Sequence, residues 1–162
     1  VGFGQLAGSL RQNPRGVNLE KTNISDEKLL NLDPAPDLAS VDLSYLSLRK
    51  GIPAFAEVMH HRGELLCLVK PLFETEDMEA RRTGVLPPEK YLPTLLELVR
   101  DVNALPETQA KQVTYSPVTG NNGTHEFFLH VVLGSDAPVP DLTAACERAV
   151  ANVLALAPYH KK

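Results

Sequence analysis

Hydrophobic and polar positions along this chain follow two different periods, one typical of helices and the other typical of strands. Apolar residues recur on a single stripe in three long segments, which predicts amphipathic helices over residues 47–61, 88–105 and 140–158. Two shorter helices are predicted over residues 5–12 and 25–32, each ending before a turn that contains proline.

Short apolar or alternating runs between these helices indicate strands. The predicted strands cover, in chain order, residues 17–21, 38–43, 64–70, 111–118 and 126–133. The stretch 71–88 has little periodicity and is predicted to be a long loop with at most one turn of helix. Loops of this length inside compact domains are often functional.

The order of these elements predicts an α/β fold with a mostly parallel sheet. Helices alternate with strands, and the inner strands are almost continuously apolar, which is typical of parallel sheets. The last two strands are joined by residues 119–123, whose glycines and asparagines suit a hairpin. The C-terminal edge of the sheet is therefore expected to be antiparallel.

Length, composition and cysteine usage narrow the class of protein. The chain has 162 residues, of which 43% are apolar and 22% are charged, and this fits one globular domain. No apolar run approaches the roughly 20 residues that a membrane-spanning helix needs. Cys67 and Cys146 lie in apolar patterns without CxxC spacing or a secretory leader, so a cytoplasmic location is expected.

The net charge of −4 bears on partners, because nucleic-acid-binding domains usually carry a basic face. The chain has no dense block of Lys and Arg, so another domain would have to supply much of any affinity for nucleic acid. His60, His61, Cys67 and His130 match no zinc-ligand spacing. No metal site is expected.

Three polar residues fall at one expected edge of the sheet, the edge where open α/β sheets bind ligands. Asp42 and Lys70 come at the ends of two predicted strands, and Glu126 begins the last strand. An antiparallel strand begins where its parallel neighbours end, so the three side chains can converge on one site. A lysine between two carboxylates is an arrangement suited to proton transfer.

Each of these residues also has a purely structural interpretation. Asp42 could cap the helix that follows it, Lys70 could mark the end of a strand, and Glu126 could make the hairpin soluble. Their joint placement at one edge favours chemistry over these alternatives.

Six blocks of sequence between residues 1 and 130 are distinctive. They are VGFGQL (1–6), LRQNPR (10–15), EKTNI (20–24), DLSYLSL (42–48), LVKPLFE (68–74) and SPVTGNNGTHEFFLH (116–130). In sequence and in order these blocks resemble the TlyA family, the hemolysin-A-like group of FtsJ-type ribosomal RNA ribose 2′-O-methyltransferases.

The resemblance implies a Rossmann-like class I methyltransferase sheet and a reaction that uses S-adenosylmethionine. The methyl group would pass to a ribose hydroxyl of ribosomal RNA, in this family a cytidine. FtsJ-type enzymes use a Lys-Asp-Lys-Glu tetrad, and by motif Asp42, Lys70 and Glu126 are its last three members. Asn23 and Ile24 match the segment that contacts the adenine end of the cofactor. Asp42 and Leu43 fall near its methionine end.

Lys70 is the candidate base in this assignment. A free lysine has a pKa near 10.4 and is a poor base at neutral pH, but desolvation and a neighbouring cation favour its neutral form. Asp42 and Glu126 stabilise the ammonium form, so they are expected to orient Lys70 and the hydroxyl. No metal is required, because the cofactor carries its own leaving group.

The chain departs from the family pattern in several places. The family's glycine-rich cofactor strand, the acid after its next strand and its S4-type RNA-binding domain are not found, so residues 1–162 are expected to be a partial methyltransferase domain. This partial domain lacks its first strands and is expected to be inactive alone. Residues 75–90 also differ from the family's glycine-rich loop.

Two other functions are compatible with these residues. The chain could be a catalytically inactive module of the same fold that binds RNA or associates with ribosomes. It could also be a membrane-lysing hemolysin, although it has no basic amphipathic helix that would support this role.

Overall fold

A computed structural model describes residues 2–120 and 123–156 of the chain. The elements are, in chain order, α1 (Gly8–Arg11), a 3₁₀ turn (Glu27–Asn31), β1 (Leu38–Val41), α2 (Leu48–Val58), β2 (Gly63–Val69), α3 (Pro71–Glu74), α4 (Met78–Thr83), a second 3₁₀ turn (Pro88–Lys90), α5 (Tyr91–Asn103), β3 (Thr108–Tyr115), β4 (Phe127–Leu133) and α6 (Thr143–Leu154). This succession confirms the predicted α/β class.

The four strands form one mixed sheet in the order β1-β2-β4-β3. β1 and β2 pair in parallel, whereas β4 runs antiparallel to both of its neighbours. The sheet is therefore less parallel than predicted, since only one of the three pairings is parallel. The hairpin of β3 and β4 does lie at one side of the sheet, but β4 occupies an inner position, which suits its run of buried apolar residues.

The hydrophobic core lies between one face of the sheet and the helices α2, α5 and α6. In β4 every second residue from Phe127 to Leu133 is buried, and the residues between them are half-buried. This alternation is the period of two that a strand imposes on its side chains. The continuous apolar run of β2 also alternates in burial, because Leu66 lies on the opposite face and is exposed.

The predicted strand at residues 17–21 is wrong. Val17 is 83% exposed, and no strand of the described chain pairs with this segment. Alternating side chains make a strand only when a neighbouring strand satisfies its backbone groups.

The predicted loop at 71–88 contains more helix than expected. α3 begins with Pro71, a residue whose missing N–H costs nothing at a helix start. Asp77 caps α4 by accepting hydrogen bonds from the backbone N–H groups of Glu79 and Ala80, and Gly84 ends the helix with a positive φ of 74°.

The long helices are confirmed with shorter bounds than predicted. Ser47 caps α2 by accepting a hydrogen bond from the backbone N–H of Arg49, and α5 begins only after the second 3₁₀ turn. The predicted end of the last helix at Pro158 lies outside the described residues. So do Val1 of the first sequence block and Asn121 and Asn122 of the predicted connector.

Candidate active site at the carboxyl edge of the sheet

Asp42 and Lys70 form an ion pair at the carboxyl ends of the two parallel strands. Asp42 follows β1 directly and Lys70 follows β2, so the pairing of these strands brings the two residues together. The Lys70 Nζ lies 2.7 Å from Oδ1 of Asp42, and the side chains are 21% and 66% exposed, respectively. Most of the Lys70 side chain is thus shielded from water, whereas most of the Asp42 side chain is exposed.

The segment after Asp42 provides a second partner for the same amine. Lys70 Nζ donates a hydrogen bond of 3.3 Å to Oγ of Ser44. Two contacts from one short segment hold the position of Nζ, and both orient the amine toward the edge of the sheet.

Glu126 comes to the same edge from the other side of β2. Val69 pairs with Phe127 in the antiparallel ladder, so Lys70 and Glu126 are the next residues beyond the paired rung. Burial raises the pKa of Glu126, the charge of Lys70 opposes this rise, and the charge of Asp42 adds to it. Glu126 is thus within electrostatic range of the ion pair, while Asp42 and Lys70 are in direct contact.

Gly120 leaves room for the carboxyl group of Glu126. A Cβ atom at residue 120 would lie 2.5 Å from Oε1 of Glu126, so a larger residue there would displace the carboxylate. The backbone of Glu126 is fixed independently, because its carbonyl accepts a hydrogen bond of 2.9 Å from the N–H of Ser116.

An exposed aromatic side chain stands beside this cluster and was missed by the sequence reasoning. Tyr45 is 91% exposed, has a positive φ of 62° and packs against Phe73 with ring centroids 5.2 Å apart. A positive φ is uncommon for a tyrosine. The signal available in the sequence was the position of an aromatic residue three places after Asp42 and of another three places after Lys70.

A buried carboxylate behind the cluster was also missed. Glu74 is the only charged residue among the buried residues that the structure describes, and its carboxyl group contacts the start of α2. Its position in a stretch without periodicity gave no sign that it would be buried.

The residues expected at the cofactor lie in two separate segments. Oδ1 of Asn23 accepts hydrogen bonds from the N–H and the hydroxyl of Ser25, and Ile24 is half-buried. Leu43 follows Asp42 and packs closely on Gly51, where a Cβ atom would lie 2.4 Å from Cδ1 of Leu43. Their roles toward a cofactor stay predictions.

His130 has an acidic neighbour, and Cys67 lies in the hydrophobic core. Nε2 of His130 lies 2.8 Å from a carboxylate oxygen of Glu64, and Cys67 is fully buried, which raises the pKa of its thiol to about 12. Among residues 2–120 and 123–156, no group of three or more His, Cys, Asp or Glu side chains is arranged to hold a metal ion. In the same residues, no helix has the length and apolar character to span a bilayer.

A surface groove lies elsewhere, between α6 and the middle of β3 and β4. Gln112, Phe128, His130 and Arg148 line it, and the three site residues do not.

No family model matches the chain. Individual relatives do. It is 35% identical over 130 residues to "16S/23S rRNA (cytidine-2'-O)-methyltransferase TlyA" of Mycobacterium tuberculosis, covering 80% of this chain and 48% of that protein. It is 31% identical over 132 residues to "Putative rRNA methyltransferase YqxC" of Bacillus subtilis, covering 81% and 47%, respectively. "Hemolysin A" of Brachyspira hyodysenteriae is 26% identical over 136 residues, covering 82% and 56%.

Solved structures resemble the fold described above. A "Putative hemolysin from Streptococcus thermophilus" matches with a TM-score of 0.81 at 29% identity, covering 94% of this chain and 55% of that one. A "putative hemolysin from Lactococcus lactis" matches with a TM-score of 0.75 at 27% identity, covering 90% and 72%.

The names of these matches divide between rRNA methyltransferases and hemolysins. The chain spans about half the length of the curated relatives it matches. Within that span, about four fifths of its own residues align with them. Over about four fifths of its length, this chain is a homologue of TlyA, YqxC and hemolysin A.

Proposed function

We propose that this chain carries the catalytic residues of an S-adenosylmethionine-dependent ribosomal RNA ribose 2′-O-methyltransferase, with a cytidine as its target. The observation that carries the proposal is the Lys70–Asp42 ion pair at the ends of adjacent parallel strands. The names of TlyA and YqxC support rRNA as the substrate. On this proposal the sheet is part of a Rossmann-like class I methyltransferase fold that acts in the cytoplasm.

Lys70 is the proposed proton acceptor. A ribose hydroxyl is a very weak acid, so its attack on a methyl group benefits from a base within hydrogen-bond reach. S-adenosylmethionine would supply a methyl group that carries its own leaving group, and an uncharged Nζ of Lys70 would accept the hydroxyl proton. Asp42 and Ser44 hold Nζ from one side, which leaves its remaining direction for the hydroxyl.

The carboxylates at this edge fit a sulfonium cofactor. S-adenosylmethionine supplies an electrophilic methyl group on a positively charged sulfur. Asp42 faces solvent with most of its side chain, and Glu126 adds a second carboxyl group nearby, so the edge offers acceptors to a cation. Asn23 and Ile24 would hold the adenine end, and Asp42 and Leu43 would hold the methionine end.

The exposed ring of Tyr45 supports an RNA substrate. Unpaired bases in RNA are commonly bound by stacking on exposed aromatic side chains. Tyr45 presents such a surface next to Ser44, which itself contacts Lys70. A base stacked there would bring its ribose close to the amine.

The test measures transfer of a labelled methyl group from S-adenosylmethionine to ribosomal subunits. It uses this chain and, in parallel, the full open reading frame that contains this sequence. In whichever of these two proteins transfers methyl groups, Lys70→Ala should reduce turnover by a factor of about 100 or more, since general base catalysis contributes that much. Cofactor affinity, measured by isothermal titration, should change by no more than a few-fold.

Lys90→Ala is the matched control. Lys90 also pairs with an aspartate, Asp77, but it lies on the surface at 3.5 Å from that partner. This variant should keep full turnover. Retained turnover in Lys70→Ala would remove Lys70 from its role. Failure of the full reading frame to bind the cofactor would instead favour an inactive RNA-binding module.

A further inference from the structure

Glu74 is a carboxylate in the protein interior, one turn after Lys70. Its side chain is only 2% exposed, and burial raises its pKa, an effect that Ser47, Leu48 and Arg49 oppose. A buried carboxylate is costly unless hydrogen bonds replace the lost water. The structure supplies these bonds from the neighbouring helix.

Glu74 joins the segment that carries Lys70 to the segment that carries Asp42. Its Oε1 accepts a hydrogen bond of 2.8 Å from the backbone N–H of Leu48, and its Oε2 accepts one of 2.6 Å from the hydroxyl of Ser47. Ser47 and Leu48 stand at the start of α2, five and six residues after Asp42. A negative charge is also favourable at the start of a helix.

Arg49 closes the connection. Its Nη1 donates to a carboxylate oxygen of Glu74 at 3.1 Å and to the backbone carbonyl of Glu74 at 2.9 Å, while its Nε donates to Asp101 at 2.7 Å. Asp101 lies near the end of α5. One guanidinium therefore ties α3 to α5 while it neutralises the buried carboxylate.

Capping alone does not explain this arrangement. Ser47 already caps α2 through its hydroxyl, which accepts from the N–H of Arg49. α3 has four residues, too few to be stable as an isolated helix, so an outside contact must fix its position. The segment from Asp42 to Ser47 includes Tyr45 with a positive φ and also needs an anchor.

We propose that Glu74 and Arg49 are positioning residues that set the geometry between Asp42 and Lys70. The inference rests on the proposed function, because it assigns these residues a task in that reaction. Asp42 and Lys70 each belong to a short segment, and Glu74 joins the two segments through hydrogen bonds to Ser47 and Leu48, in addition to the ring contact between Tyr45 and Phe73. Loss of this connection separates the amine from its carboxylate partner without removing either one.

The first measurement does not depend on catalysis. In folded protein, Lys70→Met should shift the carboxyl-carbon NMR signal of Asp42, because it removes the cation at 2.7 Å. The same shift is then measured in the Glu74→Gln background, where it should fall by about half or more. Glu79→Gln is the control, since Glu79 is an exposed carboxylate of α4 paired with Arg82, and it should leave the shift unchanged.

Arg49→Lys gives a second route to the same result. Lysine keeps the charge but cannot contact Glu74 and Asp101 together, so the response of Asp42 should again shrink. This variant decides the outcome if Glu74→Gln does not fold. An undiminished response in a folded Glu74→Gln or Arg49→Lys protein would overturn the proposal.

The second measurement tests whether the geometry between Asp42 and Lys70 affects the rate of methyl transfer. In the active form, Glu74→Gln should lower kcat by about ten-fold or more, as expected when a reacting group is displaced, while cofactor affinity stays within a few-fold. Unchanged kcat with a lost NMR response would overturn the positioning role. A full reading frame in which Asp42 responds to Lys70→Met but which transfers no methyl group would contradict the proposed function and leave the connection established.

Discussion

The buried carboxyl group of Glu74 should make the stability of this chain depend on pH. The pKa of Glu74 is raised above its usual 4.5 by burial, so the folded chain binds this proton more tightly than the unfolded chain does. As pH rises from 4.5 to the raised value, the folded state therefore loses stability relative to the unfolded state. Glu74→Gln has no such proton and should lack this loss.

Urea unfolding of both proteins across this range measures the effect. The free energy of unfolding of the wild type minus that of Glu74→Gln should decrease with rising pH above 4.5. Asp77 and Asp101 act in a lower range, because hydrogen bonds from Ala80 and Arg49 lower their pKa values below the usual 3.8. A difference that is flat with pH would contradict the burial of a titrating Glu74.

Sequence patterns predicted the proximity of the candidate residues that follow strands, and missed the residues whose positions depend on tertiary contacts. Asp42 and Lys70 could be placed together because the ends of parallel strands share an edge. Glu74 could not, because nothing in a local pattern shows that a glutamate in an aperiodic stretch will reach the start of a helix 26 residues earlier in the chain. Tyr45 was missed because the exposure of a side chain depends on whether other parts of the chain cover it, and a local sequence pattern does not show this.

At the level of elements, the close approach between the start of β2 and the residue before β1 depends on one glycine. Gly63 begins β2 with a positive φ of 106°, and a Cβ atom there would lie 2.2 Å from the backbone carbonyl of Asp37, just before β1. Gly63→Ala should cost about 3 kcal/mol or more, because it combines backbone strain with a clash against backbone.

Gly84→Ala provides the matched control. Gly84 also has a positive φ, of 74°, but a Cβ atom there would meet nothing within 4 Å. Only the conformational cost remains, about 1 kcal/mol. Chemical denaturation of the two variants measures the difference, and equal destabilisation would show that the close approach at Asp37 is unimportant.

The type of an element could be predicted wherever its hydrophobic pattern ran through enough residues to show its period. The helices α2, α5 and α6 show an apolar stripe over about three turns, which is why their existence was clear from the pattern. Residues 17–21 show that a short alternating run is ambiguous, since its outcome depends on a pairing partner. Helix α4 was missed because its six residues are too few for a period, although its cap at Asp77 and its glycine end were visible.

At the scale of the whole molecule, the two thiols report on global unfolding. Cys67 and Cys146 are fully buried, and burial raises the pKa of each thiol, to about 12 and about 11. A disulfide reagent should therefore react with the native chain at least about 100-fold more slowly than with the urea-unfolded chain. Absorbance of the released thiolate follows the reaction.

Cys146→Ala identifies which thiol reacts. It removes a small buried group from α6 and should lower the free energy of unfolding by about 1 to 2 kcal/mol. Fast reaction of Cys67 in the native variant would show that the core between the sheet and its helices opens without global unfolding.

The order of the strands was beyond the reach of local pattern. Sequence periodicity predicts where strands lie but does not predict their order in the sheet. The inner position of β4 depends on which of the strands pairs along both of its edges and also buries an apolar face. That choice is made among all strands together. In the resulting order β1-β2-β4-β3, β4 alone connects β3 to the parallel pair of β1 and β2.

This order has a consequence for biosynthesis. Because β3 precedes β4 in the chain, the eight residues of β3 emerge from the ribosome before the strand that connects them to β2. A nascent chain that has emerged only as far as Tyr115 holds β1 and β2 together and presents β3 without a partner, a state that is prone to association with other chains. The sheet is completed only when residues 127–133 reach the gap between its two parts.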